Sequence, residues 1–405
     1  MNCIDLFAGG GGLSEGFYKQ DFNIIAHVEK QTQACYTLKT RHAYRYLKEN
    51  NKYDIYIKYL KGEINRESLY KEIPNKLLNS VINEEISNDN IQEIFDRIDD
   101  LRDDKEIDLI IGGPPCQAYS VIGRARDDKG MLYDKRKYLY RYYIEFLEKY
   151  KPKLFVFENV RGILSSNKGR LFKKICREMK NSGYNLEHKV LNASDFGVLQ
   201  SRKRVIMIGW KNDLDIKYPK FKNYRSKYNI GELFSDLPKL QADTKKSGEP
   251  YISKSNKCHD DLNIRDKNIN FVTQHNARYN NERDLKIYKI AVEKWNQGER
   301  LKYNDLPDDL ITHNNTRSFL DRFKVVDSEG LSHTIVAHIA KDGHHYIHPD
   351  KEQNRSLTVR EAARIQSFPD NYYFETARTP ALRQIGNAVP PLMAENIAKK
   401  IQNIL

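Results

Sequence analysis

Apolar residues recur along this chain in two periods. Short apolar runs at 2–7 and 23–29 read as strands, and the stretches beginning at Leu13 and running to Lys48 read as helices, a βαβ opening. The next stretch, rich in Tyr and Lys, reads as irregular. Ile91, Ile94, Phe95, Ile98 and Leu101 then fall at helical spacing, so the acidic residues among them form the wet face of an amphipathic helix. Further apolar runs at 107–111, 154–157 and 205–208 read as buried strands, separated by helices at 139–150 and 171–180. The pattern predicts a doubly wound, mostly parallel α/β sheet, whose ligands bind at the carboxyl edge of the strands. Residues 213–354 lose this regularity and read as a smaller, loop-rich domain without internal repeats. Regularity returns at Thr358, which with Glu361 forms a capping box ahead of a helix through Ile365. The last helix starts at Pro390-Pro391 and puts Leu392, Ile397 and Ile401 on one face.

Composition narrows the class. The 405 residues are 39% hydrophobic, with a mean hydropathy of −0.75 and a net charge of +13. Such a chain can bury a large core, and its length fits two or three domains. The apolar runs are too short to span a bilayer, and no secretory leader pattern opens the sequence, so a cytoplasmic protein is expected. Five cysteines without a CxxC spacing suggest neither a disulfide framework nor a zinc ribbon. Charge is uneven: residues 81–110 sum to −8 and residues 121–210 to +12. The acidic stretch is accounted for by the amphipathic helix. The basic stretch fits either a solvated surface or a polyanion such as nucleic acid.

Four segments carry candidate chemistry. DLFAGGGGLSEGF at 5–17 runs from strand through glycines into helix, where bare backbone can meet a ligand, but its spacing misses the GxGxxG dinucleotide register. Glu29, at the end of the next strand, is placed to accept hydrogen bonds from ribose hydroxyls or to cap the following helix. GGPPCQAYS at 112–120 presents Cys116 at a strand's carboxyl end on a loop stiffened by Pro114 and Pro115. With Arg124 and Arg126 nearby, it is a candidate thiolate nucleophile, whereas Cys35 and Cys176 read as inert core thiols. FVFENV at 155–160 puts Glu158 at the same edge as a candidate proton donor, or as a cap of the next helix. QSRKRV at 200–205 offers Arg202 and Arg204 on one side of an extended segment, suited to carbonyl oxygens, phosphates or structural acids. His338, His344, His345 and His348 lack the companion ligands of a metal site, and no metal is expected.

Together with RSLTVREAARIQSFPD at 355–370 and QIGNAVPP at 384–391, these segments resemble, in order, the DNA cytosine-5 methyltransferase family. The resemblance covers roughly residues 1–48, 106–210 and 331–405. It implies a methyltransferase fold with S-adenosylmethionine as cofactor and S-adenosylhomocysteine as product. It further implies a catalytic domain over 1–212 completed by a C-terminal helix at 384–405, a target-recognition domain over 213–354 and a return segment over 355–383. Phe7, Gly9, Gly12, Glu29, Gly113, Pro115, Leu139, Asn387 and Val389 occupy the family's cofactor positions. An acid-Ile pair expected at the adenine is offered by both Glu63-Ile64 and Glu85-Ile86, of which Glu85 and Ile86, directly before the amphipathic helix, are preferred.

The implied reaction starts with addition of the Cys116 thiolate to cytosine C6, since unactivated C5 is a poor nucleophile. Glu158 would act at N3, Arg204 at O2, with Arg202 supporting the pocket. The target base must leave the duplex stack, and residues 121–137 form a basic loop suited to closing over DNA. Gln117, Ser120, Ile122, Arg124 and Thr334 are the expected DNA contacts. Double-stranded DNA and a separate restriction endonuclease are the implied partners, the enzyme acting as a monomer. The alternatives are a tRNA cytosine-5 methyltransferase and a non-catalytic DNA-binding protein of the same fold; the long 211–354 segment favours duplex DNA.

Overall fold

Side chains alternate between the two faces of a strand, and here both faces are apolar. In a computed structural model describing residues 1–115 and 139–405, Ile4, Leu6, Ile110, Phe155, Phe157, Val205 and Met207 enter one core. Their neighbours Cys3, Leu109, Ile111, Leu154, Val156, Ile206 and Ile208 enter a second, on the opposite face. A sheet that is apolar on both sides must be covered on both sides, which makes three layers.

The chain runs β1 (Asn2–Leu6), α1 (Gly12–Tyr18), β2 (Asn23–Val28), α2 (Thr32–Glu49), α3 (Tyr53–Leu60), α4 (Arg66–Lys71), α5 (Asn75–Asn79), β3 (Val81–Ile82), α6 (Ile91–Arg102) and β4 (Leu109–Gly112). After the undescribed residues come α7 (Leu139–Tyr150), β5 (Leu154–Val160), α8 (Arg170–Asn181), β6 (Tyr184–Asn192) and β7 (Lys203–Lys211). The strands are ordered β3-β2-β1-β4-β5-β7-β6. The pairs among β1 to β5 are parallel, and β7 runs antiparallel to both β5 and β6. The expected doubly wound, mostly parallel sheet is thus present, with the order turning outward between β1 and β4, the place where such sheets bind ligands. Helices α6, α7 and α8 cover one face. Helix α1 and the last helix cover the other.

The second part contains α9 (Ile230–Phe234), α10 (Lys257–Asp261) and α11 (Glu282–Asn296), followed by α12 (Val359–Ile365), α13 (Arg378–Asn387) and α14 (Pro391–Gln402). The capping box forms as expected: the Thr358 side chain accepts from the Glu361 amide, and Glu361 accepts from the Thr358 amide at 2.8 Å. Residues 357–388 share one core with residues 228–272. Helix α14 returns to α1 so closely that a side chain on Gly12 would meet the Val389 carbonyl at 2.2 Å, and only glycine fits there.

Two expectations need correction. The Tyr- and Lys-rich stretch after Lys48 is not irregular but forms α3, α4 and α5, with Tyr53, Tyr56 and Leu60 at helical spacing. Its tyrosines reach out of the insertion: Tyr53 Oη donates to Asp266 at 2.9 Å and Tyr56 Oη to the Asn371 carbonyl at 2.8 Å. The loop-rich second part likewise holds a 15-residue helix, α11, capped by Asn281 and buried through Ile287, Tyr288, Ala291 and Val292. Among the described residues, no helix is long and apolar enough to cross a membrane.

Candidate active site

The carboxyl ends of the parallel strands open into one cavity. After β1 it is lined by Phe7, Gly9 and Gly12; after β2 by Glu29; after β3 by Glu85 and Ile86; after β4 by Gly113 and Pro115; and after β5 by Glu158. Arg204 joins from the start of β7, because an antiparallel strand begins where its neighbours end. Leu139 heads α7, and Asn387 and Val389 come from the junction of α13 and α14. Thirteen sequence-predicted positions therefore meet around one space. Glu63 and Ile64 do not line it, whereas Glu85 and Ile86 do. Cys116, Gln117, Ser120, Ile122 and Arg124, and the basic loop at 121–137, lie outside the described residues.

At the β2 end, Glu29 is buried and accepts hydrogen bonds from the Gly9 and Gln31 amides, both at 2.8 Å. One carboxylate thus ties the glycine loop to the start of α2, and burial pushes its pKa up. Ile86 is 4% exposed, an apolar wall, while Glu85 is exposed and pairs with Lys30 at 2.9 Å.

At the β5 end, register builds the chemistry. Val160 pairs with Arg204 across β5 and β7, so Glu158, two residues earlier, lies diagonally across from Arg204 on the same face. The Arg204 Nε stands 2.9 Å from Glu158 Oε1. Burial raises the Glu158 pKa, while the charges of Arg204 and Arg202 oppose that rise. A side chain on Gly113 would meet the Glu158 carbonyl at 2.2 Å and its Oε2 at 2.9 Å, so glycine lets the carboxylate lie against the loop that leads to Cys116. Asn159 holds that loop by donating to the Pro114 carbonyl at 3.1 Å.

Arg202 and Arg204 do not share a task. Arg202 is fully buried and donates to the carbonyls of Ile335, at 2.5 Å, and Gly386, at 3.0 Å. It joins the segment before β7 to Ile335 and to α13. Thr334 donates to the Ser201 carbonyl at 2.6 Å and shares a shallow depression with Arg161, Lys203 and Arg204 beside the main cavity. The histidines are used in packing: His344 pairs with Tyr288 Oη at 2.8 Å, and His348 stacks on Phe234. Among the described residues, no cluster of His, Cys, Asp and Glu could hold a metal.

With this geometry, comparison with known proteins becomes decisive. The model of the C-5 cytosine-specific DNA methylase family matches residues 1–74 and 68–403. The chain belongs to this family. Among its relatives, the type II methyltransferase M.Bpa9945I of Bacillus paralicheniformis is 43% identical over 443 residues, covering 100% of this chain and 99% of that protein. The type II methyltransferase M.DdeI of Desulfomicrobium norvegicum is 34% identical, covering 99% of this chain and 88% of that protein. The fold of this DNA methylase is shared with a candidate DNA modification methyltransferase encoded within an E. coli prophage, at TM-score 0.64 and 24% identity, covering 100% and 99% of the two chains. The sequence reading of a cytosine-5 DNA methyltransferase is therefore correct at the level of family and enzyme class.

Among the cavity residues that sequence reasoning did not assign are two polar ones, Asp5 and Gln384. Asp5 is 1% exposed, faces His27 Nδ1 at 3.2 Å, and has its pKa pushed up by burial to about 7. Its position in the strand, between Ile4 and Leu6, puts it on the face of Cys3, Leu109 and Ile111, but period alone does not show that this face opens into a cavity at the strand's end.

Proposed function

We propose that this DNA methylase transfers a methyl group from S-adenosylmethionine to C5 of a cytosine flipped out of a specific double-stranded DNA sequence. The observation that carries this reading is the continuity of the cavity: Glu29 and Ile86 line one end, while Pro115, the residue before Cys116, lines the other with Glu158 and Arg204. The residues fit the cofactor. The Glu29 carboxylate keeps acceptor capacity for ribose hydroxyls beside its two backbone donors. Ile86 and Val389 give apolar surface for a purine ring, and the glycine loop leaves room beside it. When bound, S-adenosylmethionine supplies a sulfonium-activated methyl group.

The chain's own residues activate the base. The Cys116 thiolate adds to C6 and turns C5 into an enamine carbon. Glu158, a half-buried carboxyl whose pKa is raised by burial, donates to N3 and draws off the charge that develops on the ring. Arg204 holds O2 and, through its contact with Glu158, orients that carboxyl. Loss of the C5 proton then expels Cys116, with water as the base. Arg202 supports the pocket from behind by fixing Ile335 and Gly386.

The relatives are named type II methyltransferases, which supports a role in DNA modification; action beside a separate restriction endonuclease, in the cytoplasm and as a monomer, belongs to the same proposal. The domain assignment of the sequence reading stands as part of this proposal. Residues 213–354 read the target, with Gln117, Ser120, Ile122, Arg124 and Thr334 contacting DNA.

The test is transfer of labelled methyl from S-adenosylmethionine to unmethylated plasmid DNA and, in parallel, to tRNA, followed by mapping of 5-methylcytosine. Label at one short DNA motif, abolished in Cys116→Ala, is expected. Label on tRNA alone would overturn the substrate, and undiminished transfer by Cys116→Ala would overturn the nucleophile. Glu158→Gln is expected to lower transfer at least about a hundredfold while DNA binding is kept.

A further inference from the structure

Gln384 lies on α13, is 3% exposed and lines the cavity, yet among the described residues neither its Oε1 nor its Nε2 has a hydrogen-bond partner. Buried amides are rarely left in this state, because both ends lose water without replacement. Nearby Gln366 is also buried but satisfied, donating to the Ile385 carbonyl at 2.7 Å and accepting from Gln200 at 3.1 Å. The contrast points to a missing occupant of the cavity.

Position and chemistry identify the portion of ligand that would meet it. A side chain on Gly10 would come within 3.0 Å of Gln384 Cβ and 3.3 Å of Oε1, so the amide lies against the loop after β1. In the sheet order, β1 separates β2 and β3, whose ends present Glu29 and Ile86, from β4 and β5, whose ends present Gly113 and Glu158. The nucleoside is assigned to the first pair and methyl transfer to the second. The α-amino acid end of the cofactor, a carboxylate and an ammonium on one carbon, is the remaining part. An uncharged amide can both donate to the first and accept from the second.

We propose that Gln384 is a specificity-determining ligand for the amino acid end of S-adenosylmethionine, Nε2 donating to its carboxylate and Oε1 accepting from its ammonium. This assignment rests on the cofactor reading above. Calorimetric titration of the full chain with S-adenosylhomocysteine and with 5′-methylthioadenosine separates the two, since the second ligand keeps the nucleoside thioether and lacks the amino acid. Gln384→Ala is expected to weaken S-adenosylhomocysteine at least about tenfold and to leave 5′-methylthioadenosine within about twofold. Gln384→Met, of similar size and with neither amide donor nor amide acceptor, should give the same pattern without opening a cavity beside Gly10. Equal losses for both ligands, or no loss in either variant, would overturn the assignment. Failure of the unaltered protein to bind S-adenosylhomocysteine would instead overturn the cofactor reading, and the assignment with it.

Discussion

In the sheet, most buried residues are apolar and alternate between two cores, Asp5 and His27 being polar exceptions. Between 233 and 372, three fully buried arginines do much of the joining. Arg364 meets Asp236 and Asp370, each at 2.6 Å, and Arg355 meets both oxygens of Glu361, at 2.6 and 2.8 Å. Arg360 donates to the carbonyls of Thr273 and Tyr372, both at 3.1 Å. An apolar core is forgiving, since dispersion and burial are non-directional. A buried ion pair gains little over an apolar replacement but loses much when one partner is removed, and it admits one geometry. The region that presents Thr334 and α13 to the catalytic edge is thus fixed by directional bonds, and the sheet that carries the edge is fixed by area. The tyrosines of α3 link the two regions at Asp266 and Asn371.

Breaking a buried charge pair should show the difference most strongly. Arg364→Ala leaves Asp236 to Arg265 alone among the arginines and Asp370 to Tyr251 and Arg360, and should cost about 3 kcal/mol, read as a drop in the urea midpoint. Arg364→Met together with Asp236 and Asp370 changed to Asn and Leu should recover most of that loss. If the single variant is as stable as the parent, the directional account of this region fails. In the sheet, Ile208→Ala should cost about 3 kcal/mol through burial and cavity terms, while Ile208→Val costs about 1, a graded response that the arginine site lacks.

Acidity should separate the regions by sign. His348 is buried beside Arg355 and its pKa is lowered by burial from 6.5 to about 3. Below pH 6.5 the unfolded chain takes up a proton that the folded chain refuses, so this site loses stability as pH falls towards 3, at about 1.4 kcal/mol per unit. Asp5 has the opposite effect, its pKa being raised from 3.8 to about 7. Above pH 3.8 the unfolded carboxyl ionises first, and stability is lost as pH rises towards 7. Between pH 3.8 and 6.5 the two effects offset one another, so denaturation midpoints should fall more steeply as pH rises in His348→Gln and rise with pH in Asp5→Asn. The same slope in parent and variants would refute the assignment. The smallest effect is expected at the link between regions: Tyr56→Phe loses one hydrogen bond to the Asn371 carbonyl and should cost about 1 kcal/mol in the same measurement.

Continuous apolar runs were enough to read β1, β2, β4, β5 and β7, because a strand buried on both faces is apolar at almost every position; β3, of two residues, was too short to show. The strand ends then located Glu29, Gly113 and Glu158, since the carboxyl edge of a parallel sheet follows from direction alone. Strand β6 escaped this reading because most of its residues are exposed or half-buried and its sequence alternates weakly. The helices of the insertion escaped because tyrosine serves equally in helix, strand and loop, and what orders them is contact with residues over 200 positions away.

The sequence by itself determined strands β1, β2, β4, β5 and β7, the glycine loop, the capped helix at Thr358 and the placing of Glu29, Gly113 and Glu158 at strand ends. Each depends on local pattern or on chain direction. Only the tertiary structure decided that Arg202 clamps two carbonyls while Arg204 meets Glu158, that Glu85 and Ile86 rather than Glu63 and Ile64 reach the cavity, and that Gln384 is left without a partner among the described residues. Those outcomes depend on which distant segment supplies the acceptor, and spacing along one chain carries no record of the distance between segments in space.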